Sequence, residues 1–108
     1  MAWKELKEEE YRQYFDALSK KFGENKAEIE VMAVGVMEQE QTAWIPFWGI
    51  SYDPPEKMIS IISEYIDHHI KKPKEVRVHE TDAGVTAIEI IAGDGFKHVL
   101  KFKNPVRP

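Results

Sequence analysis

Four histidine side chains are the groups best suited to chemistry in this chain of 108 residues. His68 and His69 follow Asp67 directly, while His79 and His98 lie further along the chain. Imidazole and carboxylate groups are common metal ligands, and histidine titrates near neutral pH. Adjacent residues on a strand point to opposite faces, so His68 and His69 would not face the same ion. A metal or ligand site would therefore need a further ligand from His79, Glu80 or His98, and the residue types do not identify the metal.

Other catalytic patterns are missing from the sequence. The chain has no cysteine, which excludes a disulfide scaffold, a thiolate zinc site and a cysteine nucleophile. Its glycines do not form a phosphate-binding loop, and no serine stands in the context of a nucleophile elbow. We therefore predict no catalytic residues and no cofactor. An enzyme would need a site assembled from separate strands.

An aromatic segment, Trp44-Ile45-Pro46-Phe47-Trp48, indicates a contact surface. In an extended strand the two tryptophans lie on one face, while Ile45 and Phe47 lie on the other, so both faces are apolar. A single helix can cover only one face of a sheet, and Pro46 marks an edge position or a bulge. The second face must then be covered by the tail and loops, by a second copy of the chain or by another protein. Core packing explains each residue taken singly, whereas for the segment as a whole we predict an interface with a second copy or with another protein. Its residues are Trp44, Phe47, Trp48 and Tyr52.

Composition and charge narrow the class of partner. The hydrophobic fraction of 43% and the charged fraction of 31% are those of an ordinary globular domain. The net charge of -4 disfavours binding to a nucleic-acid backbone. The later part of the chain carries a basic strip, which a solvated sheet face also explains: Lys71, Lys72, Lys74, Arg77, Lys97, Lys101 and Lys103. Neither a signal peptide nor a membrane-spanning stretch is present, so we expect a cytoplasmic protein without a membrane partner.

The first element that must position these residues is an amphipathic helix over residues 8–22. Its apolar side chains recur three and four positions apart, which places them on one helical face. Three glutamates in the first turn match the helix dipole, and Gly23 can adopt the left-handed conformation that follows a helix. The apolar face consists of Tyr11, Tyr14, Phe15, Leu18 and Phe22.

Strands are predicted on both sides of the aromatic segment. Apolar residues alternate over residues 29–36, where Gly35 fits a bulge, and the polar run 38–41 is typical of a turn. A second strand is expected over residues 42–52. Three further strands over 75–81, 85–91 and 96–103 are separated by Gly-containing turns, which indicates consecutive hairpins.

The segment from Met58 to Ile70 fits two structures. Its apolar residues have helical spacing, and Asp53-Pro54 makes a good helix start. Residues 58–63 are also rich in β-branched side chains, which is typical of a short buried strand. Periodicity alone slightly favours the helix.

The chain resembles a family of small, uncharacterised, mainly bacterial proteins known as a domain of unknown function. The resemblance rests on the order of four motifs: Glu8 to Asp16 in the helix, Gly49-Ile50-Ser51-Tyr52-Asp53, Asp67-His68-His69-Ile70-Lys71-Lys72-Pro73, and Asp94-Gly95. It implies that residues 58–63 form a strand that pairs with residues 49–52 across a turn at 53–56. It implies no activity, substrate or catalytic residue.

Together these features predict an α+β domain. One N-terminal amphipathic helix packs on a mostly antiparallel sheet of about five or six strands, in a single domain over residues 1–108 with irregular ends at 1–6 and 104–108. The function is unknown, and the best hypothesis is a non-enzymatic protein-binding or assembly protein that uses an aromatic sheet edge. The alternative is a small metal- or ligand-binding enzyme with a histidine-containing pocket. The predicted core is Tyr14, Phe15, Leu18, Ile29, Val31, Val76, Val78, Ile88, Ile90, Leu100 and Phe102.

Overall fold

The computed structural model describes residues 2–23, 25–33, 39–41, 44–64 and 67–107. In these ranges the chain forms one helix and nine strands. In chain order they are β1 (Ala2–Leu6), α1 (Glu8–Ser19), β2 (Lys26–Ala33), β3 (Gln39–Gln41), β4 (Ile45–Asp53), β5 (Met58–Ser63), β6 (Asp67–Lys71), β7 (Glu75–Thr81), β8 (Gly84–Ile91) and β9 (Phe96–Val106). The α+β class is confirmed.

Helix α1 begins where a glutamate closes its first turn. The Lys7 N–H donates to the Glu10 carboxylate at 2.8 Å, which satisfies a backbone donor that the helix leaves unpaired. The helix ends at Ser19, three residues before the predicted end. Phe22 is buried all the same, and Gly23 has a positive φ of 58° that glycine adopts without strain.

All described strand pairs are antiparallel. Eight strands follow one another in the order β1-β7-β8-β9-β2-β4-β5-β6, and β3 pairs with β2 beside this order. Strand β2 is the junction, because its first residues pair with β4 and its last residues pair with β3. The prediction of five or six strands is wrong, since the described residues alone contain nine.

The chain ends account for part of this difference. Residues 1–6 were predicted to be irregular, but β1 pairs with β7 over five residues. The adjacent charged residues Lys4 and Glu5 interrupt the alternation of apolar and polar residues that is typical of a strand. Residues 104–108 were also predicted to be irregular, whereas β9 continues to Val106, which pairs with Val85. The polar run predicted as a turn contains β3, and Gly35 lies outside the described residues.

The core prediction is confirmed. The register aligns inward side chains across β2, β9, β8 and β7, while Phe15 and Leu18 of α1 are fully buried. Tyr14 and Val31 are half-buried and pack against this core, and the other predicted members are buried. Each fully buried large apolar side chain contributes roughly 1.5–3 kcal/mol.

The alternative between helix and strand is resolved in favour of strands. Residues 58–63 form β5, and Gly49 to Asp53 of β4 pair with Ile62 to Met58. The intervening turn contains Lys57 with a φ of 49°. Strand β6 then pairs with β5, and both contribute buried isoleucines: Ile59, Ile61 and Ile70. In the described ranges, α1 is too short and too polar to cross a membrane.

Asn25 joins three strands before β2 begins. Its side-chain Nδ2 donates to the Asn104 carbonyl at 2.7 Å, and its Oδ1 accepts the N–H groups of Lys26 and Asn104. Its own carbonyl accepts the Phe47 N–H at 3.0 Å. The buried residue thereby connects β2, β4 and β9. No sequence motif indicated this role.

Candidate functional site

Two of the four histidines meet between strands that are distant in the sheet order. His68 lies on β6 and His98 on β9, and 2.8 Å separates Nε2 of His68 from Nδ1 of His98. The ring planes are inclined by 57°, so the contact is a hydrogen bond between ring nitrogens rather than a stack. His98 is buried and His68 is half-buried.

Strand register explains why these two rings converge. His98 lies opposite Val31 and Ile90, on the inward face of its strand. His68 lies opposite the buried Ile61, on the inward face of β6. The sheet therefore curls until these two inward faces meet.

A backbone contact also brings the end of β6 to the β8–β9 turn. The Gly93 N–H donates to the Lys71 carbonyl at 3.3 Å. A Cβ at Gly93 would lie 3.0 Å from Lys72 Cβ, so glycine permits this close approach.

Burial keeps the histidine pair neutral. Desolvation, followed by the neighbouring His68, lowers the pKa of His98 to about 4, although Asp94 acts in the opposite direction. Desolvation, followed by the charge of His69, also lowers the pKa of His68. At neutral pH one imidazole therefore donates its ring N–H to the unprotonated nitrogen of the other.

The other two histidines point elsewhere. His69 faces outward on β6, where its Nδ1 lies 3.0 Å from Ser60 Oγ. His79 lies on β7, where its Nδ1 is 2.7 Å from Thr86 Oγ1. The expectation that adjacent histidines face opposite sides of a strand is confirmed. In the part of the chain that the structure describes, no group of three or more metal-ligating side chains occurs.

A solvent-open pocket adjoins the histidine pair. Its volume is about 430 Å³, and it carries both basic and acidic groups. Its lining residues are His69, Ile70, Lys71, Lys72, Ala92, Gly93, Asp94 and His98. Asp67, the remaining residue predicted for a histidine site, is exposed. The arrangement offers one hydrogen-bonded imidazole pair at the edge of a mixed-charge pocket.

The four residues predicted to form an interface divide into two surface residues and two core residues. Trp44 is 42% exposed and Trp48 is 62% exposed. Phe47 and Tyr52 are buried in the core. Of the four residues predicted to form an interface, only the two tryptophans present their side chains outward.

A bulge explains the orientation of Trp48. The pairing of β4 with β5 shifts between Phe47, which lies opposite Ser63, and Gly49, which lies opposite Ile62. The extra residue in the bulge is Trp48, whose side chain turns towards solvent. Proline indicated either an edge position or a bulge, and the bulge occurs two residues after Pro46.

Strand β4 does not lie at the edge of the sheet. It stands between β2 and β5 in the strand order, so the predicted aromatic edge is corrected to an aromatic face. Helix α1 covers its backbone, because Ser19 Oγ donates to the Ile50 carbonyl at 2.7 Å and accepts the Ile50 N–H at 3.0 Å. Pairing with an added strand is therefore blocked at Ile50.

We define the tryptophan face as the outward side of β4, β5 and β6 around Trp48. Ile62 and Met58 of β5 lie on this face and are half-buried. Asp67 lies opposite Ile62 at one end of β6, and Lys71 lies opposite Met58 at the other end. Ile62 thus lies at the end of the face that carries Asp67, Met58 lies at the end that carries Lys71, and Ser60 and His69 lie between them.

Part of the predicted basic strip is neutralised by carboxylates. Arg77 and Lys97 both form ion pairs with the buried Glu89. Lys101 pairs with Glu30 at 2.8 Å. These residues lie on the outward side of β2, β7, β8 and β9, where they form the solvated sheet face that the sequence also allowed.

Comparison with known proteins places nearly the whole chain in one family. The model of a family of unknown function, DUF5335, matches residues 2–107. An uncharacterized protein of Aquifex aeolicus is 35% identical over 104 residues, which are 95% of this chain and 94% of that protein. No solved structure matches the chain significantly. The resemblance inferred from the motifs is therefore confirmed, and the chain belongs to DUF5335, a family of unknown function.

Proposed function

We propose that this chain is a non-enzymatic assembly protein whose tryptophan face binds a second copy of the chain. The observation that carries the proposal is the exposure of Trp48, which is 62% exposed and precedes Gly49, the residue opposite the half-buried Ile62. A tryptophan presents roughly 150–250 Å² of surface, and its removal from water favours association. Tryptophan is also among the residues that most often dominate binding energy at protein interfaces.

The charges of β6 favour a second copy over an unrelated protein. Asp67 and Lys71 lie at opposite ends of the same strand. If two copies pack face to face with their β6 strands in opposite directions, each Asp67 lies over Lys71 of the other copy. One twofold axis then forms two opposite-charge contacts and brings Ile62 of each copy over Met58 of the other, as in an isologous dimer.

Light scattering tests this proposal with a matched control. Wild-type protein over a concentration series is expected to approach twice the 12.6 kDa mass of the chain. The double variant Trp44→Ser/Trp48→Ser is expected to remain at the monomer mass with unchanged circular dichroism. Trp3→Ser is the control, because Trp3 is 46% exposed on β1 and lies outside the tryptophan face. A wild type that stays monomeric, or an equal effect of the control, would contradict the proposal.

Charge exchange distinguishes a second copy from another protein. Lys71→Asp places carboxylates opposite each other in the dimer and is expected to weaken self-association. Adding Asp67→Lys restores opposite charges across the twofold axis, so the exchanged protein is expected to dimerise again. Failure of the exchange to restore the dimer would rule out the antiparallel arrangement.

A further inference from the structure

We propose that the His68–His98 pair is an acid-sensitive latch, which holds β6 against β9 at neutral pH and releases β6 when both rings are protonated. The latch does not depend on the proposed self-association. It concerns the inward side of β6, whereas the tryptophan face lies on the outward side.

The hydrogen bond between the two rings depends on their protonation. A hydrogen bond between two imidazole nitrogens requires one of them to lack a proton. Nε2 of His68 and Nδ1 of His98 are 2.8 Å apart, so at most one of these two atoms can carry hydrogen while the bond exists. When both rings become imidazolium, the attraction is replaced by repulsion between two positive charges in a partly desolvated site.

The surroundings do not compensate a second positive charge. Asp94 in the β8–β9 turn is the carboxylate that favours the protonated form of His98. His69, the next residue on β6, opposes protonation of His68. The strands beside the pair contribute apolar residues at the paired positions: Val31, Ile61 and Ile90. One carboxylate can balance one proton, and the second proton remains unbalanced.

Strand β6 is the element that can respond. It has five residues and stands last in the sheet order, where β5 is its strand partner among the described residues. Strand β9 is instead held on both sides by β8 and β2. Local opening concentrates where backbone pairing is least extensive, so repulsion is expected to release β6 rather than β9.

Amide hydrogen exchange measures this release strand by strand. Protection factors, which are corrected for the intrinsic effect of pH, are compared at about pH 7 and about pH 4.5. In the wild type we expect the protection of β6 to fall by roughly tenfold or more, while β8 keeps its protection. His98→Gln and, independently, His68→Gln are expected to abolish this pH dependence. The control His79→Gln changes a histidine of β7 that contacts neither the pair nor the tryptophan face and is expected to retain it.

Three results would overturn the latch. The first is a protection of β6 that does not change with pH in the wild type. The second is a parallel loss in β6 and β8, which would indicate general acid unfolding. The third is a loss of β6 protection at low pH that persists in His68→Gln. His68 is half-buried, so this substitution removes the contact between the rings without leaving a large cavity.

Discussion

At the scale of single residues, Asn25 shows how one polar side chain can determine the arrangement of several strands. Its three side-chain hydrogen bonds are directed to backbone groups of Lys26 and Asn104. Sequence reasoning had no signal for this role, because a Glu-Asn pair after a helix is typical of any connecting loop. Its partner Asn104 lies 79 residues away in the chain.

We therefore predict that Asn25→Ala lowers the free energy of unfolding by about 2–4 kcal/mol, because the buried side chain loses three hydrogen bonds that contribute about 1 kcal/mol each. The matched control is Asn104→Ala. Asn104 contacts Asn25 through its backbone and is exposed, so this change is expected to cost less than about 1 kcal/mol. Urea denaturation of both variants measures the difference. Equal losses would show that the Asn25 side chain has no special role.

His98 gives a second residue-scale prediction, for stability as a function of pH. Its pKa falls from the ordinary 6.5 to about 4 on folding, because burial disfavours the imidazolium form. The folded state thus binds fewer protons than the unfolded state between these values. The contribution of His98 is complete above pH 6.5 and declines as the pH falls towards 4.

Between about pH 7 and about pH 4.5 this group is expected to remove about 2 kcal/mol from the free energy of unfolding. Urea unfolding across the pH range measures the decline in the wild type and in His98→Gln. The difference between the two free energies of unfolding should change as the pH falls from 6.5 to about 4 and stay nearly constant outside this interval. A difference curve that stays flat would mean that His98 titrates alike in the folded and unfolded states.

The pairing of His68 with His98 could not be predicted from the sequence. Local spacing correctly separates His68 from His69, because adjacent strand residues point to opposite faces. Which distant histidine would join them depends on the curl of the sheet, since β6 and β9 are not neighbours in strand order. The sequence gives no reason to prefer any one pair among the four histidines, whereas the fold brings His68 and His98 together.

At the scale of elements, the strength of the periodic signal explains which predictions succeeded. Helix α1 and strands β7, β8 and β9 have strong local patterns with glycine turns between the strands, and their positions were predicted closely. Strand β5 was ambiguous by periodicity, because its isoleucines fit both helical and strand spacing. The family resemblance supplied the correct alternative. Strands β1 and β3 were missed, because short charged or polar strands lack an apolar alternation.

Strand β4 shows why the aromatic segment was only partly predictable. Alternation placed the tryptophans on one face, but it could not locate the bulge that turns Trp48 outward. Nor could it show that Ser19 of α1 satisfies the backbone of Ile50. Proline and aromatic content indicated an edge, whereas the helix and β2 enclose the strand.

At the scale of the whole molecule, the sheet curls around its own core. The extents of 31 × 30 × 29 Å are nearly equal, whereas a flat sheet covered by one helix layer would be thinner in one direction. Curling lets β4, β5 and β6 cover part of the inward face that α1 leaves open. The outward side of these strands is the tryptophan face, and no described element of the chain packs on Trp48 closely enough to bury it.

Cross-linking through a single introduced cysteine tests the proposed dimer most directly, because the chain has no cysteine of its own. His69 lies midway between Asp67 and Lys71, so in the antiparallel dimer it faces His69 of the second copy. Sheets that pack face to face are about 10 Å apart, which a bismaleimide linker of about that length can span. His69→Cys is therefore expected to give a covalent dimer in high yield. Gln13→Cys, on the exposed side of α1, is expected to remain monomeric. A monomeric His69→Cys, or equal cross-linking of both variants, would contradict assembly through the tryptophan face.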